Sequence, residues 1–202
     1  MNLDYDFDRA ERSEKRKKFW LSFILWIFLL SLAVGLAWIL TEYALEFTNM
    51  TDASMEITLQ QDDTILINKL IYTFKEPERY DVIVFKKDGK EHSYYSIKRV
   101  IGLPGETVYI SGGCVYINGE LLREPMQVDA MELAGLAEET IVLDEDEYFV
   151  LGDSRNDSQD SRFANVGNVS RSEIIGKAWL RTNKFAFIGR LNYNAQDDET
   201  EE

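Results

Sequence analysis

From Phe19 to Thr41 the chain carries no charged residue, and the run FWLSFILWIFLLSLAVGLAWILT is apolar around its whole circumference if helical. A helix of that length rises about 1.5 Å per residue, enough to cross a hydrocarbon layer of about 30 Å. A soluble helix as long would show a polar face. A cleaved leader would carry a shorter apolar stretch, about 7–15 residues, ending at paired small residues. Here Glu42-Tyr43-Ala44-Leu45-Glu46 follows instead. The pattern therefore predicts an uncleaved transmembrane helix over 19–41, preceded by a flexible lead over 1–18.

Beyond the span the periodicity changes. Thr41–Thr51 reads as a short connector, and strand signals then dominate. TILINKLIY (Thr64–Tyr72), DVIVFKK (Asp81–Lys87), YYSIKRVIG (Tyr94–Gly102) and ETVYI (Glu106–Ile110) are rich in β-branched and aromatic residues. Gly112-Gly113 separates ETVYI from CVYING, a hairpin signal. EYFVLG (Glu147–Gly152) and IIGKAWLRT (Ile174–Thr182) follow. The fold class is mainly β: an antiparallel domain over 42–191 behind one N-terminal helix. Met126–Glu147 departs from the pattern, with eight acidic side chains and no basic one, and reads as an exposed excursion between strands. The acidic tail over 192–202 reads as disordered.

Charge then orients the molecule. Lys15, Arg16, Lys17 and Lys18 abut one end of the span, and Glu42 and Glu46 follow the other. Basic flanks stay cytoplasmic, which predicts a single-pass protein of the cell membrane with its N-terminus inside and 42–191 outside. Of the net charge of −14, residues 1–18 contribute +1, so the remainder is strongly acidic. That excludes nucleic acid as a partner, since phosphates need a basic footprint. The single cysteine, Cys114, has no partner for an internal disulfide and no metal-ligand spacing around it. No metal and no cofactor is expected, and Cys114 reads as a strand residue.

Candidate chemistry follows from a shortage. A serine hydroxyl needs a group to take its proton, usually histidine. The chain has one histidine, His92, in the polar turn KKDGKEHSYY, with no nucleophile motif nearby. Ser54, in ASMEITL, and Lys98, in YYSIKRVIGLPGET, are the alternatives, with lysine as the base. Taken singly, Ser54 is also readable as a loop serine, Lys98 as part of a solvated strand edge, and GDSRNDSQDSR (Gly152–Arg162) as a polar turn. Their joint occurrence, in this order and behind one anchor, is more specific.

Four segments together resemble the type I bacterial signal peptidases in their short single-anchor form. ASMEITL resembles the nucleophile box, with Ser54 in the serine position; RYDVIVFK (Arg79–Lys86) the next strand box; YYSIKRVIGLPGET (Tyr94–Thr107) the lysine box, with Lys98 as general base; and LGDSRNDSQDSRFANVG (Leu151–Gly167) the last box. The resemblance implies a signal-peptidase-like catalytic domain, and a membrane-bound serine endopeptidase that removes signal peptides from exported preproteins. Its partners would be those preproteins and the lipid bilayer. Substrates would lie extended in a groove, with small residues at positions −1 and −3. The main-chain N–H of Ser54 would help hold the oxyanion. The resemblance also makes Ser158 the hydroxyl that orients Lys98, and Arg99 with Asp153, and Asp160 with Arg162, supporting ion pairs.

Physical chemistry sets a condition. A free lysine titrates near about 10.4 and is charged at neutral pH, so Lys98 must be buried to serve as a base. Strand alternation places Lys98 on one face with Tyr94, Ser96 and Val100, and Arg99 on the other. Two positions depart from the box. A glycine or hydroxyl residue is usual two before the serine, where this chain has Asp52, and a proline is usual where Ile57 stands. A carboxylate in the oxyanion region repels the developing negative charge. A soluble self-cleaving Ser–Lys repressor would need a DNA-binding domain in place of the span. A Ser-x-x-Lys lactam-recognising enzyme would need lysine at Ile57. A catalytically weak or inactive anchored β-domain that binds exported polypeptides stays open.

Overall fold

The computed structural model describes residues 3–87 and 95–189. His92, Tyr94 and the tail from Asn192 lie outside the described residues. The chain divides into two compact units, Met1–Ala44 and Leu45–Glu202.

The first unit is one helix, α1 (Leu3–Ala44). It begins inside the expected lead, because 3–18 is rich in Asp, Glu, Arg and Lys with neither proline nor glycine to break it. Within it, Arg16–Ile39 is long and apolar enough to cross a membrane. Phe19, Trp20, Leu25, Phe28 and Trp38 within it are exposed.

The second unit is antiparallel β. In chain order its strands are β1 (Leu45–Asn49), β2 (Thr64–Asn68), β3 (Val82–Phe85), β4 (Ser96–Gly102), β5 (Thr107–Ser111), β6 (Cys114–Ile117), β7 (Glu120–Leu121), β8 (Ile141–Val142), β9 (Glu147–Leu151), β10 (Val169–Ser170), β11 (Ile174–Arg181) and β12 (Ala186–Phe187). An eight-stranded sheet runs β1-β2-β11-β3-β4-β9-β10, with β12 paired to β11. A smaller sheet runs β7-β6-β5-β8.

Local chemistry sets these boundaries. The run Thr64–Tyr72 stops being a strand at Asn68, whose Oδ1 accepts the N–H groups of Leu70 and Ile71 at 3.1 Å each and turns the chain into a short helix, Ile71–Phe74. Gly112 and Gly113 take φ of 58° and 78°, which non-glycine residues resist, and they close the β5–β6 hairpin with Ser111 opposite Cys114. Cys114 is a strand residue, as expected, and is exposed.

Two expectations change. The connector over Thr41–Thr51 contains β1, paired along its whole length with β2 from Leu45↔Asn68 to Asn49↔Thr64. The acidic segment 126–147 is not a free excursion. Its acidic side chains are interspersed with Met131, Ala137 and Leu143, which are buried against Val108, Ile110 and Phe149. β8 pairs with β5, and Leu136 N–H donates to Arg162 O at 2.8 Å. Burial of these apolar side chains outweighs the cost of crowding the acidic ones at the surface.

Candidate active site

The turn that carries Ser54 is anchored by what flanks it. Met55 and Leu59 are fully buried in a core with Met50, Ile65, Ile67, Val82, Val84, Ile97 and Ala178. The N–H groups of Thr58 and Leu59 both donate to Met55 O, which coils the chain between the two anchors. Below them Met50 and the segment at Asp62–Asp63 exchange two main-chain bonds, closing the base of the turn. Ser54 therefore sits on a fixed turn and is itself 1% exposed.

Lys98 comes from β4, where it lies opposite Ile83 of β3. Its side chain is 3% exposed. Nζ donates to Ser54 Oγ at 2.6 Å. Burial pushes the Lys98 amine below its ordinary value, opposed by the negative charges of Asp52, Asp160 and Asp153. Lys98 is thus buried, which is what a neutral amine requires.

The last segment closes over the pair. Ser154 N–H donates to Ser54 O at 2.9 Å. Gly152 lies so close that a Cβ there would overlap the Ser158 hydroxyl and come within 2.6 Å of Ser54 O. Ser158 is buried beside it, but its Oγ has no hydrogen-bond partner among the described residues, so the structure does not join it to Lys98.

The supporting charges are paired. Arg99 Nε and Nη2 donate to the two carboxylate oxygens of Asp153 at 2.7 and 2.6 Å, with both side chains fully buried. Arg162 Nε and Nη2 reach Asp160 at 2.8 and 2.9 Å. Asp160 also accepts the N–H of Gly152 at 3.1 Å, which ties this pair to the loop over Ser54.

Asp52 faces Ser54 directly. Its Oδ1 accepts the Ser54 main-chain N–H at 3.0 Å and the Ser54 hydroxyl at 2.5 Å, and its Oδ2 lies 3.7 Å from Lys98 Nζ. Thr58 went unnoticed in the sequence. Its hydroxyl donates to Asp153 at 2.5 Å and accepts from Arg99 Nη2 at 3.0 Å, joining the nucleophile turn to the buried ion pair. Its place in ASMEITL, four residues after Ser54, is the only available signal. Among the described residues no cluster of His, Cys, Asp and Glu could hold a metal ion.

A buried serine hydroxyl within hydrogen-bond distance of a buried lysine, in a mainly β domain, is an arrangement that suits hydrolases with a serine nucleophile. Comparison with known proteins makes this specific. Residues 23–182 match the family "Signal peptidase, peptidase S26". The probable signal peptidase I-2 of Synechocystis sp. is 35% identical over 175 residues, covering 84% of this chain and 77% of that one. Signal peptidase I of Leptolyngbya laminosa is 38% identical over 158 residues, covering 75% of each. A crystal structure of a signal peptidase I from Enterococcus faecalis V583 matches with 31% identity and a TM-score of 0.40, over 51% of this chain and 97% of that one. The chain belongs to the peptidase S26 family as a type I signal peptidase, and is thus a serine peptidase.

Proposed function

We propose that this chain is a membrane-anchored endopeptidase that cuts N-terminal signal peptides from exported preproteins, with Ser54 as nucleophile and Lys98 as general base. The observation that carries the assignment is the 2.6 Å contact between Lys98 Nζ and Ser54 Oγ, both buried. In its neutral form Lys98 takes the Ser54 proton as Oγ attacks the scissile carbonyl carbon. The Ser54 N–H stabilises the oxyanion so formed. On collapse the peptide C–N bond breaks, and the lysine ammonium returns the proton to the leaving amine. Water then attacks the acyl-enzyme ester, giving a proton to Lys98; the C–O bond to Ser54 breaks and Oγ regains its proton. The signal peptide leaves with a new carboxylate.

Arg99 with Asp153 and Arg162 with Asp160 hold the two segments that carry and cover the dyad. The hydroxyl of Ser158, buried and without a partner among the described residues, is the group that turns Lys98 during turnover. The apolar stretch Arg16–Ile39 serves as the anchor. The basic residues before it and Glu46 after it support an N-terminus inside and a domain over 42–191 outside.

The detergent-solubilised chain, incubated with an exported preprotein, tests this. One cut is expected, with the product's new N-terminus directly after a small residue. Uncut preprotein, or cuts scattered through the mature part, overturns the assignment.

A second reading, a domain that binds exported chains without cutting them, is favoured by one observation: Asp52 already occupies the Ser54 N–H that an oxyanion needs.

A further inference from the structure

Asp52 and Lys98 compete for the same hydroxyl. A carboxylate oxygen can only accept, so in the 2.5 Å contact the Ser54 proton points at Asp52. Ser54 Oγ must then accept from Lys98 Nζ at 2.6 Å. In this arrangement the lysine presents an N–H, not its lone pair, to the nucleophile. The same carboxylate oxygen holds the Ser54 main-chain N–H at 3.0 Å. One side chain thus ties up both the proton that must leave and the donor that must receive the oxyanion.

The surrounding charges single Asp52 out. Asp52, from the nucleophile turn, and Asp153 and Asp160, from the last segment, are the carboxylates facing Lys98. Asp153 is neutralised by Arg99 and Asp160 by Arg162, all four side chains being buried. Asp52 has no arginine against it among the described residues, and its nearest cation is Lys98 Nζ at 3.7 Å. Its side chain is also 55% exposed, so a rotation about its own bonds carries it into solvent without disturbing the core.

We infer that Asp52 is a carboxylate cap on the active site, which holds Ser54 and a protonated Lys98 in a resting state until the scissile segment of the substrate displaces it. The inference rests on the Ser54/Lys98 reading. Displacement does two things at once. It frees the Ser54 N–H for the carbonyl oxygen, and it withdraws the negative charge that favours the ammonium form of Lys98, which then releases a proton to solvent and becomes a base. The cap keeps the bare site inert and ties activation to occupancy.

The test is the rate of preprotein cleavage between pH 5 and 10 by the detergent-solubilised full chain, by Asp52→Asn and by Asp52→Gly, with Ser54→Ala as the blank. Asp52→Asn keeps the shape and removes the charge, so it guards against loss of the turn. Both variants are expected to move the acid-side midpoint of kcat/KM down by about one pH unit, and to raise kcat/KM at pH 7 by up to about tenfold with kcat little changed. Cleavage by the wild type with the same midpoint in both variants overturns the cap and leaves the peptidase reading intact. A fall in rate at every pH, with no shift, also overturns it and makes Asp52 a structural element of the turn. No cleavage above the blank by any of the three overturns the cap together with the reading beneath it.

Discussion

Arg99 and Asp153 meet in a two-pronged ion pair, at 2.7 and 2.6 Å, fully removed from water. Arg99 is the residue after Lys98 on β4, and Asp153 sits one residue before Ser154, whose N–H holds the carbonyl of Ser54. The pair therefore fixes the strand that carries Lys98 relative to the loop that grips Ser54. Thr58, bonded to both members, brings in the turn that carries Ser54. Three segments far apart in sequence are held at one point, without any of these side chains touching the Ser54 hydroxyl.

Breaking that pair leaves a charge buried without its partner, which typically costs about 3–5 kcal/mol. Arg99→Met and Asp153→Asn should each lower the urea midpoint by a corresponding amount, and should cut cleavage to a trace. A loss under about 1 kcal/mol in either variant would show that the pair does not hold the domain together.

Thr58→Val keeps the shape and removes the hydroxyl. Asp153 loses a donor and Arg99 an acceptor, for a cost of about 1–3 kcal/mol. kcat should fall by about tenfold with KM little changed, because the turn carrying Ser54 is loosened while the substrate surface is untouched. Thr58→Ser should restore both rate and thermal stability. Failure of serine to rescue would mean the methyl group, not the hydroxyl, matters.

Gly152→Ala should abolish activity, because the added Cβ would overlap Ser158 Oγ and press on Ser54 O. Overpacking of this kind costs about 1–3 kcal/mol. Removing the side-chain half of the clash in Gly152→Ala/Ser158→Gly should leave the enzyme inactive, since the contact with main-chain Ser54 O remains. Recovered cleavage in the double variant would contradict the close approach of these two segments.

The wild-type pH profile follows from Lys98. Burial lowers the pKa of its amine, and only the unprotonated amine can take the Ser54 proton. Activity should therefore rise with pH through that lowered value and stay high above it. Lys98→Arg should be inactive throughout, since a guanidinium does not lose its proton in this range. A profile flat between about pH 6 and 9 would argue against an amine as base.

Much of the domain was legible because its signals are local. The β5–β6 hairpin needs left-handed backbone at two positions, and Gly112-Gly113 announces it. The runs VIVF and SIKRVIG are dense enough in β-branched residues to be strands in almost any context. What stayed hidden depends on distant partners. β1 exists because β2 pairs with it, and LEFTN alone carries no clear alternation. Met131, Ala137 and Leu143 anchor the acidic segment, yet in sequence they are scattered among charges that dominate the average. At the site the motifs pointed to Ser54 and Lys98. The hold of Asp52 on both hydrogen-bonding groups of Ser54 depends on a side-chain torsion that no residue pattern encodes.

Whether Ser54 is the nucleophile and Lys98 its base is tested most directly by the rate of preprotein cleavage by Ser54→Ala and Lys98→Ala beside the wild type at pH 8. Both variants should fold, as judged by unchanged circular dichroism, and both should lose about 10³-fold or more in kcat, in keeping with removal of a nucleophile or its base. Cleavage by folded Lys98→Ala within about tenfold of the wild type would contradict the account.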